Sequence, residues 1–373
     1  MENIHEIREQ FPSLKKNIQL SSCSQSAIHI DVKNSVQDYM HSLEERGTDW
    51  GYWMEACEES RRKFAEMINA DVNEIAIVSS VSHAISAVLT SLEPHALKNE
   101  AILSTSDFPC IGHATLSQGN YEVKYIHPST ATYEKNITDK TILTSAPHVS
   151  FYNGERLDIK GITEIAHKNG SFMFVDAYQA AGQIDIDVKD LGVDFLAAGM
   201  QKYMLGIPGI AFLYVRKELA NHLVPRITGW FGQSNPFAFN SQEVEYAEGA
   251  RRFDSGTFPM INGFSSKSAI SVLLNVGIPN IERYLRELST YTLGYCQEKG
   301  LEVASPLQAE LKGSNTAIKV PNANEIEQKL KDRHIIMSAR NDVIRIAPHF
   351  YNTKEDITLA IDELAKLVPI SSR

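Results

Sequence analysis

Cysteine is scarce in this 373-residue chain, which contains four. The four lie at Cys23, Cys57, Cys110 and Cys296, with no CxxC pair and no metal-ligand spacing, so we expect neither a disulfide framework nor a cysteine-based metal site. The twelve histidines form no HExxH motif, which removes the usual signature of a helical zinc site. We therefore predict no metal, and we expect each cysteine to be a small buried hydrophobic residue.

Long hydrophobic runs and an excess of basic residues are also missing. No apolar run approaches the ~18 residues that a membrane span requires, and the charged start MENIHEIREQFPSLKKN lacks the apolar segment of a secretory signal. The formal net charge of −10 disfavours non-specific binding to nucleic acid. We predict a cytoplasmic protein that binds neither nucleic acid nor membranes.

The first two thirds of the chain alternate short apolar runs with helix-like stretches. This alternation predicts an α/β fold, in which a mostly parallel sheet is flanked by helices on both faces. The expected strands are EIAIVSS, AILST, VKYIH, TILTSA, SFMFVDA, DFLAAG and AFLYV.

The last third has longer helical patterns and fewer strands, which indicates a smaller α+β domain at the C-terminus. No linker marks the boundary between the two parts. We divide the chain into an N-terminal segment over residues 1–19 that packs with the small domain, a large domain over 20–262, and the small domain over 263–373.

Two segments have the residue pattern of an active site at the ends of buried strands. Asp176 ends the apolar run SFMFVDA, and Lys202 lies in a glycine-containing turn between two apolar runs. A lysine can form a Schiff base with an aldehyde cofactor, and a carboxylate can keep the nitrogen of a pyridine ring protonated. The same residues could instead be a helix cap and a solvated lysine.

A site for a phosphate group is predicted at the first strand–helix junction, VSSVSHAIS. Ser79, Ser80, Ser82 and His83 would place hydroxyls and free backbone N–H groups there. Serine is also the commonest N-cap residue, so a purely structural role stays open.

Several segments together resemble the class V aminotransferases, a branch of the fold type I pyridoxal-phosphate (PLP) enzymes. This branch includes cysteine desulfurases, selenocysteine lyases, kynureninases and isopenicillin N epimerase-like proteins. The matching segments follow the family order and cover nearly the whole chain; they are IQLSSCSQSA, VDAYQAAG, QKYMLGIPGIAFLYV, RRFDSGTFP and VIRIAPHFYNTKEDI.

The resemblance implies PLP as the cofactor and a role for each matching residue. Lys202 would carry PLP as an aldimine and move the proton at Cα of the substrate. Asp176 would hold the proton of the ring nitrogen, and Gln179 would bind the ring hydroxyl. Ser82 and His83 would hold the phosphate.

The remaining implied site residues lie further along the chain. Phe108 would stack on the ring where desulfurases have histidine, and Trp230 would lie near the cofactor, as would Gln201 beside the lysine. Thr257 would reach the phosphate of a neighbouring subunit, which implies a homodimer with shared active sites. Arg345 would bind the α-carboxylate of a small amino-acid substrate through two parallel hydrogen bonds.

Departures from the family pattern bear on the reaction. Gln201 replaces the histidine that usually precedes the lysine, and Gly199 replaces a serine whose hydroxyl binds the phosphate. The loop IIMSARNDVIR lacks the cysteine whose thiolate a desulfurase needs. We therefore predict an aminotransferase. The alternatives are a C–S or kynureninase-like lyase without a catalytic cysteine, which GWFG favours, an epimerase, and a catalytically silent cofactor-binding regulator.

The sequence leaves the substrate side chain open. Candidate loops for reading it are Ser21–Ser26, Phe151–Asn153, Phe231–Phe239 and Ser338–Asp342. Arg340 could be a second contact for an acidic or sulfonated substrate, or a solvated loop residue. The role of Cys23, near the expected mouth of the site, is equally open.

Overall fold

The computed structural model of the protein describes residues 4–368. The α-helices, numbered α1 to α13 in chain order, are Ile4–Glu9, Ile30–Arg46, Trp50–Met67, Val81–Ser91, Pro109–Gln118, Thr130–Asn136, Ile159–Lys168, Val188–Leu191, Lys217–Ala220, Met260–Val276, Ile278–Glu298, Ala323–Lys331 and Lys354–Leu367. The short 3-10 helices are Pro12–Lys15, Val72–Glu74, Trp230–Gly232, Pro236–Ala238, Gly249–Phe253 and Ala309–Leu311.

The strands form three sheets. In chain order, β1 to β12 are Ile18–Gln19, Ile75–Val78, Glu100–Ser104, Glu122–Ile126, Thr141–Pro147, Phe172–Asp176, Phe195–Gly199, Ala211–Val215, Thr316–Lys319, Ile335–Ile336, Ser338–Arg340 and Val343–Ile346. Each strand expected in the first two thirds of the chain is present.

The central sheet has seven strands in the order β2-β8-β7-β6-β5-β3-β4. Its strands pair in parallel except β8, which is antiparallel to both of its neighbours, β2 and β7. The expectation of a mostly parallel sheet is therefore confirmed. The reversal at β8 follows from the short connection after β7, which cannot hold the crossover that a parallel neighbour requires.

Helices cover both faces of this sheet, as predicted. Alternate residues of one strand enter two different cores, because successive side chains of a strand point to opposite faces. Ile77 packs into a core with Phe64 of α3 and Phe264 of α10. Its neighbour Val78 packs into the other core, where helices α4 and α5 supply apolar side chains.

The C-terminal part is built on the antiparallel sheet β11-β12-β9 and helices α11 to α13. The beginning of the chain contacts this part, because β1 pairs in parallel with β10 and Arg8 forms an ion pair with Asp356 at 2.6 Å. No helix within residues 4–368 combines the length and the apolar character that crossing a membrane would need.

Candidate active site

The active-site candidates lie at one edge of the central sheet. Strands β2 and β7 are both antiparallel to β8, so they run in the same direction as β3, β5 and β6. The carboxyl ends of these five strands therefore meet at one edge, which is where ligands bind in open α/β sheets. Asp176 is the last residue of β6, and Lys202 follows the end of β7.

A cavity of about 170 Å³ opens at this edge. Residues from five strand ends line it, namely Ser80, Val81, Ser82, Ser106, Phe108, Cys110, Pro147, Val149, Phe151, Asp176, Tyr178, Gln179, Gln201 and Lys202. The structure thus brings together Ser82, Phe108, Asp176, Gln179, Gln201 and Lys202 among the residues that the sequence singled out.

Asp176 presents a free carboxylate oxygen to the cavity. Its side chain is buried, and Oδ1 accepts a hydrogen bond from the Tyr178 N–H at 2.9 Å. No residue within 4–368 donates a hydrogen bond to the other carboxylate oxygen, Oδ2. Burial raises the pKa of this carboxyl, while the Tyr178 N–H and the Lys202 charge oppose the rise. A cationic N–H donor in the cavity would therefore stabilise the carboxylate.

Lys202 is held by a tight turn. The Leu205 N–H donates to the Lys202 carbonyl at 3.1 Å, and the Gly206 N–H donates to the Met200 carbonyl at 2.8 Å. The turn places buried Leu205 at φ +60°, a left-handed conformation that is unfavourable for leucine. Strained backbone of this kind persists where the surrounding packing fixes a functional side chain.

The Lys202 amine lies among aromatic rings and has a lowered pKa. Nζ is 4.2 Å from the ring centroid of Tyr178 and 5.4 Å from that of Phe108. Removal from water lowers the pKa of the amine to about 8, with Asp176 opposing and Arg345 and Arg340 contributing to the decrease. The neutral, nucleophilic form of the amine is therefore more populated near neutral pH than in an ordinary lysine.

The N-terminus of α4 also contributes to the cavity lining. Ser80 caps this helix, since its Oγ accepts the His83 N–H at 3.1 Å. The first N–H groups of a helix lack intrahelical acceptors, and Val81 and Ser82, the first two residues of α4, line the cavity. Backbone N–H groups at a helix N-terminus and a serine hydroxyl are groups suited to binding an anion.

Two glutamines connect the cavity to the loop after β1. Gln179 Nε2 donates to the Cys23 carbonyl at 2.9 Å, and Gln201 Nε2 donates to the Ser24 carbonyl at 3.4 Å. The Ser26 N–H returns a bond to the Gln201 carbonyl at 3.2 Å. Both side chains therefore position this loop over the site.

Arg345 lies behind the cavity wall. Its Nη1 donates to the Phe151 carbonyl at 2.7 Å, and its Nη2 donates to Ser338 Oγ at 2.6 Å and Ser24 Oγ at 3.2 Å. The residue is 1% exposed, yet within residues 4–368 no carboxylate lies within 4 Å of its guanidinium. A buried cation that contacts only neutral groups is completed by an anionic ligand.

The bonds of Arg345 also show which loops meet at the site. Three of the four candidate substrate loops contribute a partner, Ser24 from the first, Phe151 from the second and Ser338 from the fourth. The third candidate loop, Phe231–Phe239, contributes no residue to the cavity lining.

Besides Arg345, three predicted site residues lie outside the lining of this chain's cavity. The His83 ring bonds to Ser79 Oγ at 3.2 Å, and its Nε2 is buried without a partner among residues 4–368. Trp230 packs on Phe231, with ring centroids 4.1 Å apart. Thr257 is exposed.

Tyr178 and Asp107 were missed by sequence reasoning. The Tyr178 ring lies against Gly199, where a Cβ would overlap it, so the ring occupies the space of the serine side chain expected at 199. Buried Asp107 accepts the Ser104 N–H at 2.8 Å and Ser145 Oγ at 3.2 Å, and burial raises its pKa to about 8. The glycine beside the lysine turn was a signal for Tyr178, whereas nothing in the sequence distinguished Asp107.

Comparison with known families agrees with this geometry. The profile of the family described as aminotransferase class-V matches residues 26–359. The chain therefore belongs to the class-V aminotransferase family. It is similar over 98% of both chains to the uncharacterized aminotransferase YcbU of Bacillus subtilis, with 43% identity.

More distant relatives have different activities. A probable cysteine desulfurase of Halalkalibacterium halodurans is 29% identical, covering 98% of this chain and 97% of the relative. A kynureninase of Pseudomonas fluorescens is 24% identical, and the similarity covers 76% of this chain and 71% of the kynureninase.

Solved structures show the same fold. The apo cysteine desulfurase of Thermococcus onnurineus superposes with a TM-score of 0.87 at 21% identity, covering 98% of both chains. A lysine variant of C-DES with glycine covalently linked to its PLP cofactor also gives 0.87, at 19% identity, with 96% and 98% covered. The protein therefore has the fold of fold type I PLP enzymes.

The residues around the cavity fit PLP. The free Oδ2 of Asp176 suits a pyridinium N–H, the first turn of α4 suits a phosphate, and Lys202 supplies an amine in the same cavity. No group of three or more His, Cys, Asp or Glu residues suited to a metal ion occurs within the described residues.

Proposed function

We propose that this protein is a PLP-dependent aminotransferase that transfers the amino group of a small amino acid to a 2-oxo acid. The observation that carries this proposal is the thiol chemistry around the cavity. Cys110 lines the cavity, but burial raises the pKa of its thiol to about 12, so it is not a thiolate nucleophile at neutral pH. The hairpin formed by β11 and β12, which includes Arg345, contains no cysteine. Persulfide formation, which needs a thiolate there, is therefore disfavoured.

When bound, PLP supplies a ring that accepts the electrons released at Cα of an amino acid. Asp176 would hold the proton on the ring nitrogen, and its buried position makes this charge–charge contact strong. Lys202 would take a proton from Cα and return it one atom away, at the former aldehyde carbon. The amine suits this task because its pKa of about 8 lies near the operating pH.

Other residues would hold the reactants in place. Arg345 would bind the α-carboxylate, and the α4 N-terminus with Ser82 would bind the phosphate. Phe108 and Phe151, whose rings meet edge to face at 5.2 Å, would cover the cofactor and exclude water. The curated relative that is 43% identical is also described as an aminotransferase.

The proposal includes a homodimer with shared sites. Thr257 is exposed and outside its own chain's cavity, which suits a residue that reaches the neighbouring subunit. Exposed aromatic side chains lie in the adjacent segment, with Phe237 52% and Phe239 75% exposed. Light scattering at several protein concentrations tests this assembly, and a stable monomer with full activity would contradict it.

Single-turnover incubation of the PLP-loaded protein with an amino-acid panel tests the reaction type. Without added 2-oxo acid, an aminotransferase converts the cofactor to pyridoxamine phosphate and releases one equivalent of 2-oxo acid. Release of ammonia, sulfide or alanine with unchanged cofactor would instead identify a lyase. Racemised substrate with unchanged cofactor would identify an epimerase.

A further inference from the structure

Arg340 supplies a second guanidinium group that acts on Lys202, and this group forms no ion pair within residues 4–368. Arg340 ends β11, and no carboxylate lies within 4 Å of it among residues 4–368. Its Nε is buried without a hydrogen-bond partner in the same range. The Glu327 carboxylate interacts with Arg340 electrostatically, but its Oε1 accepts a hydrogen bond from the Ala339 N–H at 3.1 Å.

The hairpin places Arg340 on the same face as Arg345. In the antiparallel register, Ser338 lies opposite Arg345 and Arg340 lies opposite Val343. Ser338 and Arg340 share a face because they are two residues apart on one strand. The 2.6 Å bond from Arg345 to Ser338 Oγ shows that this face holds the Arg345 side chain. Arg340 and Arg345 are thus diagonal neighbours, roughly 7–8 Å apart at Cα.

The charges on this side of the lysine do not balance. Lys202, Arg340 and Arg345 are cationic. Asp176 acts on Lys202 and Glu327 acts on Arg340 from beyond ion-pair distance, and within residues 4–368 neither arginine has a carboxylate within 4 Å. Burial and the neighbouring Arg345 lower the pKa of Arg340, and both arginines lower that of Lys202. One α-carboxylate would compensate Arg345 and leave Arg340 unpaired. Two unpaired cations side by side are costly unless a second anion binds.

We infer that Arg340 is a specificity-determining anion contact and that the substrates are amino acids with an acidic side chain. The α-carboxylate would bind at Arg345 and the side-chain carboxylate at Arg340. The diagonal spacing of the two arginines suits a ligand whose carboxylates are separated by a short carbon chain. This inference rests on the proposed aminotransferase function, because it assigns the substrate class of that site.

Binding of non-reacting dianions to the PLP-loaded protein tests the inference. Glutarate and its monoamide glutaramate have the same shape and differ by one charge, so their affinity ratio isolates the second anion contact. Calorimetry on the wild type should give a ratio of at least about tenfold in favour of glutarate, as expected for a charged hydrogen-bonded pair. Arg340→Gln should bring the ratio close to one, and Arg340→Lys should give an intermediate ratio.

Arg333→Gln is the matched control. This arginine lies in the same part of the chain and pairs with Glu363 on the surface, so its removal should leave the glutarate preference unchanged. Equal affinities in the wild type would overturn the inference, as would a preference that survives in Arg340→Gln.

Amino-donor assays separate this inference from the proposed function. Glutamate or aspartate should be used at least about tenfold more efficiently than glutamine or asparagine, and Arg340→Gln should remove the difference. Amino transfer from neutral donors with no preference would overturn the inference and leave the function intact. A protein that binds PLP but transfers no amino group from any donor would overturn the function itself.

Discussion

The two halves of the candidate site are held by different means. The sheet-edge half consists of Ser82, Asp176 and Lys202, which lie at or just after the ends of buried strands of one large sheet. The hairpin half consists of Ser338, Arg340 and Arg345, which lie on strands of three and four residues. The first half is positioned by apolar packing on both faces of the sheet. The second also contains a buried strand, β12, but the polar side chains that it brings to the site are linked by hydrogen bonds from one buried guanidinium.

This difference assigns separate tasks to the two halves. Apolar packing fixes strand ends to within small displacements, which suits groups that must move a proton at one atom. Hydrogen bonds from Arg345 to neutral partners can be exchanged for bonds to a ligand at modest cost. The sheet-edge half therefore suits the chemistry that is common to the family, and the hairpin half suits the choice of substrate.

Removal of the Lys202 amine should have the largest effect. We expect Lys202→Ala to lower amino transfer by at least about 10³-fold, because the general base at Cα is lost. Borohydride reduction followed by peptide mass spectrometry should locate PLP on Lys202 in the wild type and find no attachment in the variant.

Lys312 is a matched control for this experiment. It is also buried, and burial lowers the pKa of its amine to about 7, but it bonds to Ser289, Gly313 and Thr316 away from the cavity. Lys312→Met should keep covalent attachment. Label on Lys312 in the wild type would show that a lowered pKa alone selects the lysine.

Loss of the two-pronged contact in the hairpin half should have the next largest effect. Arg345→Lys keeps the charge but cannot make two parallel bonds, so we expect KM for amino acids to rise by about 10- to 100-fold with a smaller change in kcat. Steady-state kinetics measures the changes in KM and kcat separately. Arg286→Lys, at an exposed helix position, serves as control, and an unchanged KM in Arg345→Lys would mean that the carboxylate binds elsewhere.

A methyl group at position 199 should destabilise the sheet-edge half. A Cβ there would overlap the Tyr178 ring, so Gly199→Ala should reduce the free energy of unfolding by about 1–3 kcal/mol. Gly294→Ala is the control, because its Cβ would enter open space on a helix and should be neutral or stabilising. Denaturant unfolding measures both. Adding Tyr178→Ala should recover part of the loss, and strict additivity would refute the proposed overlap.

The two halves also differ in how far the sequence predicts them. Asp176 and Lys202 follow buried apolar runs, and parallel strand ends meet at one edge, so their proximity could be inferred from the strand pattern alone. The reversal of β8 is not visible in the residues of the strand itself and follows only from the length of the connection after β7. Tyr178 was missed because the sequence does not show the direction of its ring over Gly199.

The hairpin half depends on contacts between distant segments, which a single sequence does not display. The family resemblance assigns Arg345 a role, but its partners Ser24 and Phe151 lie 321 and 194 residues away along the chain. Arg340 could equally have been a solvated residue. The strand register, which pairs Ser338 with Arg345, is the observation that brings it to the site.

Electrostatic coupling between the halves should have the smallest effect and provides the sharpest comparison. Only the neutral Lys202 amine attacks the cofactor aldehyde, so attachment of PLP to the apo-protein should accelerate as pH rises through about 8 and then level off. Arg340 and Arg345 lower this pKa, whereas Asp176 raises it. Arg340→Gln should therefore move the midpoint upward by about half a unit, which corresponds to ~0.7 kcal/mol.

Arg340→Lys separates charge from shape in the same measurement. Because it keeps the positive charge, its midpoint should stay with that of the wild type, while its preference for glutarate over glutaramate falls. Stopped-flow absorbance at constant ionic strength measures the midpoint in all three proteins. An identical midpoint in Arg340→Gln would place the Arg340 charge out of range of Lys202. The hairpin half would then affect the site through contact with the substrate and not through the pKa of the lysine.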